Sequence, residues 1–353
     1  MPLQECPAVT DTQGFPMFLP QARRALGAAV FAIACLGAWP MSSMAGPAVP
    51  GDSLQQALDA LAQRAQPATL GVAVLDLSTG ASAHVNAGRD FPMMSMFKAP
   101  VAAAVLSRID DGSMSLKQSV TITRDQVQGG SAIPSVGAHF RGERMTFTVE
   151  QLLKAAVTES DNTAVNALIR AVGGASVVTG YLHAHGINGM RVDMDEAGVA
   201  QVFEGLRPGE TPPACESAEA ARQRYRRGYE AFLADPRNRS TPEAAIDFLH
   251  KLVKQELLSP ASTQRLLAMM AAQTIPNRLR AGLPANVRFA DKTGTSASFE
   301  DRRGAFNDIG IITWPNGHTV LVAAFLMDSP MTDKARDALF ADLARNVVSH
   351  TQP

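Results

Sequence analysis

A serine and a lysine three positions apart form the first pair in this chain that could do nucleophilic chemistry. Ser95 and Lys98 lie in FPMMSMFKAPVAA, residues 91–103, at the start of an alanine-rich run typical of a helix. Side chains three apart share a helix face, and a first helical turn offers free backbone N–H groups. A lysine that burial deprotonates could accept the serine proton and leave an attacking alkoxide. The alternative is a helix-capping serine followed by a surface lysine.

Two further motifs help to decide whether Ser95 is a nucleophile or a helix cap. Ser160-Asp161-Asn162 stands between two predicted helices, and Lys292-Thr293-Gly294-Thr295 lies in a β-rich segment. Each motif alone is weak, whereas the ordered set at these separations is specific. The set resembles that of the penicillin-recognising serine enzymes, in particular the class A β-lactamases. The resemblance covers essentially all of the chain that follows its first 45 residues.

The resemblance implies an acyl-enzyme mechanism with Ser95 as the nucleophile that attacks a lactam carbonyl. The backbone N–H groups of Ser95 and Thr295 are expected to form the oxyanion hole. Ser160 and Lys292 are expected to relay a proton to the leaving nitrogen and to hold the substrate carboxylate. Lys98 and the glutamate described next are both candidates for the base in acylation.

Hydrolysis of the acyl-enzyme requires a base that activates water, and the resemblance places it at Glu196, in RVDMDEAGVA. Arg191 and Asp193 match the ion pair that usually shapes this loop in the family. The alternative for Glu196 is an exposed loop acid. Ala200 departs from the pattern, because members often carry an asparagine there that helps to hold the water. Either Glu196 and other groups suffice to hold the water, or turnover is slow.

Substrate contacts are implied for residues that would meet the carboxylate or the side-chain amide of a substrate, namely Asn162, Lys292, Thr293, Gly294, Thr295 and Arg278. Gly294 is expected to leave room for a substrate alongside its strand, and Asp161 is expected to cap a helix. Many members have an arginine on the strand after this motif, where Asn307 stands here. Arg278 matches an alternative source of that arginine, or else it is a surface cation on a turn.

An insertion relative to common family members occupies about 202–237. Its beginning is rich in proline and glycine and predicts a loop, and SAEAARQRYRRGYEAF predicts a short basic helix. Long loops in compact domains are usually functional or disordered. Two interpretations stay open: a solvated surface excursion, or an element that widens or covers the site beside Glu196.

No metal or other cofactor is expected. His183 and His185 form the one close histidine pair, and they lack acidic or cysteine companions at ligand spacing. A net charge of −1 and 6% aromatic residues give no reason to expect nucleic acid or an anionic membrane as a partner. The expected partner is a small β-lactam, and the protein is expected to be a monomer.

The elements that must position these residues follow from periodicity. Helices are predicted at 52–65, 148–159, 162–174, 242–258, 259–273 and 333–349, and strands at 69–77, 82–86, 287–295, 307–314 and 319–327. Strands at both ends around a helical middle predict an α+β fold. An antiparallel sheet from the terminal segments, flanked by helices, would stand beside an all-helical subdomain at about 95–285.

The first 45 residues are interpreted as a secretory signal peptide, and 46–353 as the catalytic domain. Arg23 and Arg24 precede a short apolar run, and Ser43-Met44-Ala45 fits a cleavage site. Export to the periplasm follows, by the general or the twin-arginine route.

The sequence thus predicts a secreted serine hydrolase that opens β-lactam rings through an acyl-enzyme on Ser95, with Glu196-assisted deacylation and a role in β-lactam resistance. The alternatives are a D-alanyl-D-alanine peptidase of the same superfamily, or a β-lactam-binding sensor that acylates without efficient turnover.

Overall fold

The computed structural model describes residues 50–351, and the predicted signal peptide lies outside the described residues. The helices of this range are α1 (Pro50–Ala65), α2 (Lys98–Asp110), α3 (Ser135–Ala138), α4 (Val149–Thr158), α5 (Asn162–Val172), α6 (Ala175–Ala184), α7 (Glu196–Phe203), α8 (Ala218–Ala234), α9 (Pro242–Val253), α10 (Pro260–Ala271) and α11 (Asp333–Thr351). The strands are β1 (Thr69–Asp76), β2 (Ser82–Val85), β3 (Phe91–Pro92), β4 (Ser119–Thr123), β5 (Arg144–Thr148), β6 (Arg239–Ser240), β7 (Arg288–Thr295), β8 (Ser298–Phe299), β9 (Arg302–Thr313) and β10 (Thr319–Ser329).

The main sheet is antiparallel and has the strand order β2-β1-β10-β9-β7, with β8 paired to β9. Val72 of β1 lies opposite Ala324 of β10, and Lys292 of β7 lies opposite Ile309 of β9. Strands from the two ends of the chain therefore meet at the centre of one sheet. This arrangement confirms the predicted α+β fold.

Strand β10 shows how the sheet divides the core into two layers. Val320, Val322, Ala324 and Leu326 pack with the apolar faces of α1 and α11. The alternate residues Leu321, Ala323, Phe325 and Met327 face the helical middle of the chain. Because side chains alternate along a strand, a strand covered on both faces reads as a continuous apolar run, as TVLVAAFLM does.

Helix α2 forms the centre of the helical middle, and it packs against α4, α5, α6 and α10. Its residues from Lys98 to Leu106 are all buried. Local signals at its neighbours match their predicted bounds. Thr148 and Gln151 form a capping box at the start of α4, and Gly173, with φ of 105°, ends α5. Small alanines on α2 allow the surrounding helices to approach it closely.

The middle of the chain also contains two short two-stranded sheets that periodicity missed. Strand β4 pairs with β5, and β3 pairs with β6. The second pair matters for the site, since β3 leads directly into the turn that carries Ser95. Within residues 50–351, no single helix has the length and apolar character to cross a bilayer, although α5 and α6, bent by 71°, pass that test together.

Candidate active site

Ser95 lies in a 3₁₀ turn, Met94–Phe97, that continues into α2. The residue before it, Met94, has φ of 49°. A left-handed conformation is unfavourable for an unbranched non-glycine residue and persists where the surrounding structure imposes it. The turn leaves the Ser95 hydroxyl partly exposed at the helix start, while Met96 and Phe97 anchor the turn in the core.

Lys98 is completely buried, so the interpretation of a surface lysine is wrong. Its ammonium lies 2.8 Å from Ser95 Oγ and 2.9 Å from Glu196 Oε1. It also donates to the Ser160 carbonyl at 2.8 Å and to Asn162 Oδ1 at 2.6 Å. Burial lowers the pKa of Lys98, and the nearby Glu196 carboxylate opposes that shift. With Ser160 Oγ at 3.3 Å, five oxygens from three segments of the chain thus converge on one nitrogen.

Glu196 is the first residue of α7, and Asp195 caps that helix by accepting from the Gly198 N–H at 2.9 Å. The Glu196 side chain is buried, which excludes the alternative of an exposed loop acid. Its Oε1 accepts a hydrogen bond from Ser95 Oγ at 3.2 Å. Asn166 on α5 accepts from the Glu196 N–H at 2.9 Å. The sequence analysis missed Asn166, although its position four residues after Asn162 places both amides on one face of α5.

The loop before Glu196 contains the expected contact between Arg191 and Asp193, at 2.7 Å. Half of the Arg191 side chain is exposed, so this pair adds little to stability. The stronger attachment is Asn238, whose buried side chain accepts from the N–H groups of Asp193 and Met194 at 2.6 and 2.9 Å. Its amide nitrogen donates to the Met194 carbonyl at 2.9 Å. The sequence analysis did not single out Asn238.

The Ser160-Asp161-Asn162 motif joins α4 to α5 on the other side of Lys98. Ser160 has φ of 57°, and Asp161 caps α5 by accepting from the Ala164 N–H at 2.8 Å. Asp161 also accepts from the Val136 N–H at 2.9 Å, as a capping and loop-fixing residue should. Besides its contact with Lys98, Asn162 donates to the Gly129 carbonyl at 2.8 Å. The loop around residue 129 is thereby tied to the motif.

Strand β7 brings a second buried lysine, Lys292, to the hydroxyl of Ser160. Lys292 Nζ lies 3.0 Å from Ser160 Oγ and is almost completely buried. Burial, followed by repulsion from Lys98, lowers the pKa of Lys292 to about 7. Thr293 is buried beside it, and Thr295 is exposed at the strand end. The Ser160 hydroxyl therefore lies between two lysines, Lys98 on α2 and Lys292 on β7.

Gly294 is required for a reason that differs from the expected one. A Cβ at this position would lie 2.3 Å from the Met93 carbonyl oxygen and 3.1 Å from the Met96 backbone nitrogen. The backbone of β7 therefore packs directly on the turn that carries Ser95. The close approach is between two segments of the chain, whether or not a substrate is bound.

Arg278 is buried, so it is not a surface cation on a turn. It donates to the Gly294 carbonyl at 3.1 Å, contacts the Thr295 hydroxyl, and lies 3.9 Å from the centre of the Phe306 ring. Burial lowers its pKa to about 10. Asn307 stands at the position where many family members carry arginine. Its side-chain amide donates to the carbonyls of Pro92 and Met93, at 2.7 and 3.1 Å.

The histidine pair lies elsewhere. His183 and His185 stand at the end of α6, and His185 Nδ1 contacts the Tyr181 carbonyl at 2.8 Å. Within the described part of the chain, no three His, Cys, Asp or Glu side chains are grouped so that they could hold a metal ion.

The sequence and the fold match those of known proteins. The model of the β-lactamase enzyme family matches residues 53–351. The chain belongs to this family, and its members are hydrolases that open β-lactam rings. Its match to class A enzymes in sequence and structure makes it a class A serine β-lactamase.

Three relatives illustrate the match. The extended-spectrum β-lactamase PER-1 of Pseudomonas aeruginosa is 30% identical over 79% of this chain and 81% of its own. A β-lactamase of Streptomyces albus G is 32% identical over 80% of each chain. The solved structure of the class A β-lactamase of the last common ancestor of Gram-negative bacteria is 37% identical, with a TM-score of 0.68, over 84% of this chain and 98% of that chain.

Proposed function

We propose that the protein hydrolyses β-lactam antibiotics through an acyl-enzyme on Ser95 and deacylation assisted by Glu196. One observation carries the proposal. The Ser95 hydroxyl lies within hydrogen-bonding distance of both Lys98 Nζ, at 2.8 Å, and Glu196 Oε1, at 3.2 Å. The hydroxyl donates to a buried carboxylate, and the lysine beside it can accept a proton only in its neutral form. A nucleophile placed in this way meets the geometric condition for general-base catalysis.

In the acylation step, Ser95 Oγ bonds to the lactam carbonyl carbon while its proton passes to the neutral form of Lys98 or to Glu196. The backbone N–H groups of Ser95 and Thr295 stabilise the developing oxyanion. The carbon–nitrogen bond of the ring then breaks, and the nitrogen takes a proton through Ser160. The hydroxyl of Ser160 suits this relay, since Lys292 and Lys98 lie 3.0 and 3.3 Å from it.

In the deacylation step, Glu196 accepts a proton from a water that attacks the ester carbonyl. The ester bond breaks, Ser95 regains a proton, and the ring-opened acid leaves. Ala200 supplies no amide to orient that water, so its placement falls to Glu196 and the backbone around it. Burial of Glu196 and its contact with Lys98 hold the carboxylate in place for this task.

Substrate recognition is proposed to use the cationic end of β7. Lys292 and Arg278 attract the carboxylate that β-lactams carry, and Thr293 and Thr295 donate hydroxyl hydrogen bonds to it. Asn162 is proposed to meet the side-chain amide of the substrate. Gly294 is proposed to leave room for the substrate alongside β7, in addition to its contact with the Ser95 turn.

A chromogenic cephalosporin tests the proposal. Many turnovers per enzyme, together with a transient adduct on Ser95 detected by mass spectrometry, are expected. A stoichiometric burst that stops would contradict efficient deacylation and favour a sensor. Release of D-alanine from a D-alanyl-D-alanine peptide at a higher rate than lactam hydrolysis would identify a peptidase instead.

Export and resistance are tested in cells. We propose that residues 1–45 direct the catalytic domain, 46–353, to the periplasm. A susceptible Gram-negative host that expresses the full chain is expected to survive higher penicillin concentrations than one expressing residues 46–353 behind a start methionine. Equal survival of the two strains would contradict the proposed export signal.

A further inference from the structure

The inserted segment contains α8, and α8 packs closely against the helix that begins with Glu196. A Cβ on Gly228 of α8 would lie 2.3 Å from the carbonyl oxygen of Phe203, the last residue of α7. A Cβ on Gly205 would lie 2.4 Å from the Arg224 carbonyl oxygen. The two helices are therefore in backbone contact. One face of α8 is therefore covered by the body of the protein, while most of its other residues are exposed.

An apolar cluster, here called the α8 cluster, fills the space between α8, α7 and the main sheet. Its buried members are Val199, Phe203, Tyr229, Phe232 and Ala305, and Met94, Met194, Val202, Leu233 and Phe299 pack at its margin. Phe232 occupies the centre, with its ring 5.4 Å from Phe203 in an edge arrangement. A Cβ on Gly304 of β9 would come within 2.8 Å of the Phe232 ring.

This cluster reaches both partners of the proposed reaction. Val199 lies three residues after Glu196 and on the same short helix, while Met94 immediately precedes Ser95. Arg239 adds a second connection. Its guanidinium donates to the Phe232 carbonyl at 2.5 Å and to the Leu233 carbonyl at 3.0 Å, and its backbone pairs with β3. A movement of Phe232 would thus displace the residues that pack on it next to Glu196 and next to Ser95.

Polar contacts fix α8 to the end of the sheet. Tyr229 donates to Asp328 at 2.7 Å, and Arg302 pairs with the same carboxylate at 2.6 Å. Arg222 pairs with Glu300 at 2.6 Å beside β8. A lid must detach from the body of the protein in order to open, whereas α8 is attached along its length. These contacts favour a fixed element over a moving one.

We infer that α8 is a brace for Glu196 and that Phe232 is a positioning residue, which sets the distance between Glu196 and the Ser95 turn. Helix α7 has eight residues, and a helix of that length depends on tertiary packing for its orientation. With alanine at position 200, no side-chain amide at that position assists in placing the hydrolytic water. The packing of α7 on Phe232 takes over this positioning task. The inference rests on the proposed function, because it concerns the deacylation step.

The experiment compares Phe232→Ala and Phe232→Leu with wild type, using Glu230→Ala as the matched control on the exposed side of α8. Steady-state kinetics with a penicillin and a bulky cephalosporin are combined with mass spectrometry of the acylated fraction. For Phe232→Ala we expect kcat to fall at least tenfold, KM to fall in parallel, and acyl-enzyme to accumulate. Phe232→Leu is expected to recover most of the rate, and Glu230→Ala to match wild type.

Two outcomes would overturn the inference. One is wild-type kinetics in Phe232→Ala. The other is a change in KM for the bulky cephalosporin alone, without accumulation of acyl-enzyme, which would make α8 a lid. A wild-type protein that never acylates on Ser95 would instead refute the proposed function, so the two failures are distinguishable.

A second variant covers the case in which Phe232→Ala does not fold. Gly228→Ala keeps every apolar side chain and forces α8 away from the Phe203 carbonyl. The same parallel fall in kcat and KM is expected, with an unchanged circular dichroism spectrum. Wild-type deacylation in a folded Gly228→Ala protein would count against the brace.

Discussion

The candidate site has two sides, here called the helical wall, with Lys98 and Glu196, and the strand wall, with Lys292 and Arg278. They differ in how their charges are balanced. On the helical wall, the Lys98 ammonium lies 2.9 Å from the Glu196 carboxylate, and both groups are buried. On the strand wall, Lys292 and Arg278 are equally buried, and their polar contacts at the pocket are carbonyls and hydroxyls. The one carboxylate adjoining Lys292 in sequence, Asp291, contacts Arg280 and Gln273 behind the strand.

The difference separates two tasks. A buried ion pair that is neutral overall can pass a proton without changing the net charge of the pocket. Among the described residues, the strand-wall cations Lys292 and Arg278 form no ion pair, although the buried Asp308 and Asp291 act on them from a distance. An anion can therefore pair with these cations, and burial weakens the screening of that attraction. We therefore expect changes on the helical wall to act on the chemical steps, and changes on the strand wall to act on binding.

The largest effect is expected from Ser95→Ala. Loss of the nucleophile should lower kcat by roughly 10⁴- to 10⁶-fold, while a β-lactam still binds to the intact strand wall. Hydrolysis assays give the first quantity, and calorimetry of the inactive protein gives the second. Loss of binding together with activity would show that the two walls are not independent.

Glu196→Gln should follow in size. The amide cannot accept a proton from water, so deacylation is expected to slow by about 10²- to 10⁴-fold. Acylation should continue through Lys98, and the acyl-enzyme should be the main species in mass spectra. If Glu196→Gln abolishes acylation as well, the carboxylate rather than Lys98 is the base in both steps.

The strand wall predicts a pH dependence of kcat/KM, which reports on the free enzyme. The pKa of Lys292 lies at about 7, so its charged form is lost as the pH rises above that value, and kcat/KM should decrease on the alkaline side. Each further pH unit lowers the charged fraction about tenfold. Lys292→Arg keeps the charge and should move the decline to higher pH. An identical profile in this variant would assign the decline to another group.

Arg278→Gln should have the smallest effect of the four. The loss of one charge-assisted contact to the substrate carboxylate costs about 1.5–3 kcal/mol, which corresponds to a rise of roughly 10- to 100-fold in KM. The kcat value should change little, since the helical wall is untouched. A fall in kcat at constant KM would place Arg278 in the chemistry rather than in binding.

Much of the candidate site could be predicted because three short motifs carry it. Two of them lie at a helix end or on a strand whose bounds were visible in the periodicity, and the third precedes an alanine-rich run typical of a helix. The ordered set led to the expectation that they meet. Asn166 was within reach of the same reasoning, because it follows Asn162 by one helical turn. Asn238 was not, since its role depends on a contact with Asp193, 45 residues away in sequence.

The packing of the insertion could not be predicted for a similar reason. The helical period of α8 was visible, and Tyr229 and Phe232 stand three residues apart, as one helix face requires. Their partners are Phe203, Gly304 and Asp328, which come from α7 and from two strands of the main sheet. Pattern within a segment shows that it has an apolar face but does not show which surface covers it.

The left-handed conformations of Met94 and Ser160 were equally hidden, as neither residue type favours positive φ. Met94 precedes the residue that carries the proposed nucleophile, and Ser160 carries the hydroxyl of the proposed proton relay. They are conformations that the assembled fold imposes on the local sequence, and so they become visible only in the folded chain.

The contact between Gly294 and the Met93 carbonyl has a consequence for how this pocket can diversify. Main chain meets main chain there, and Asn307 donates to the same carbonyl from β9. The turn that carries Ser95 and the strand that carries Lys292 thus meet in one backbone contact. Even one added methyl group has no space there. We expect new substrate preferences to arise at the other borders of the site, such as the loop around residue 129 and the segment between α7 and α8, because neither takes part in this contact.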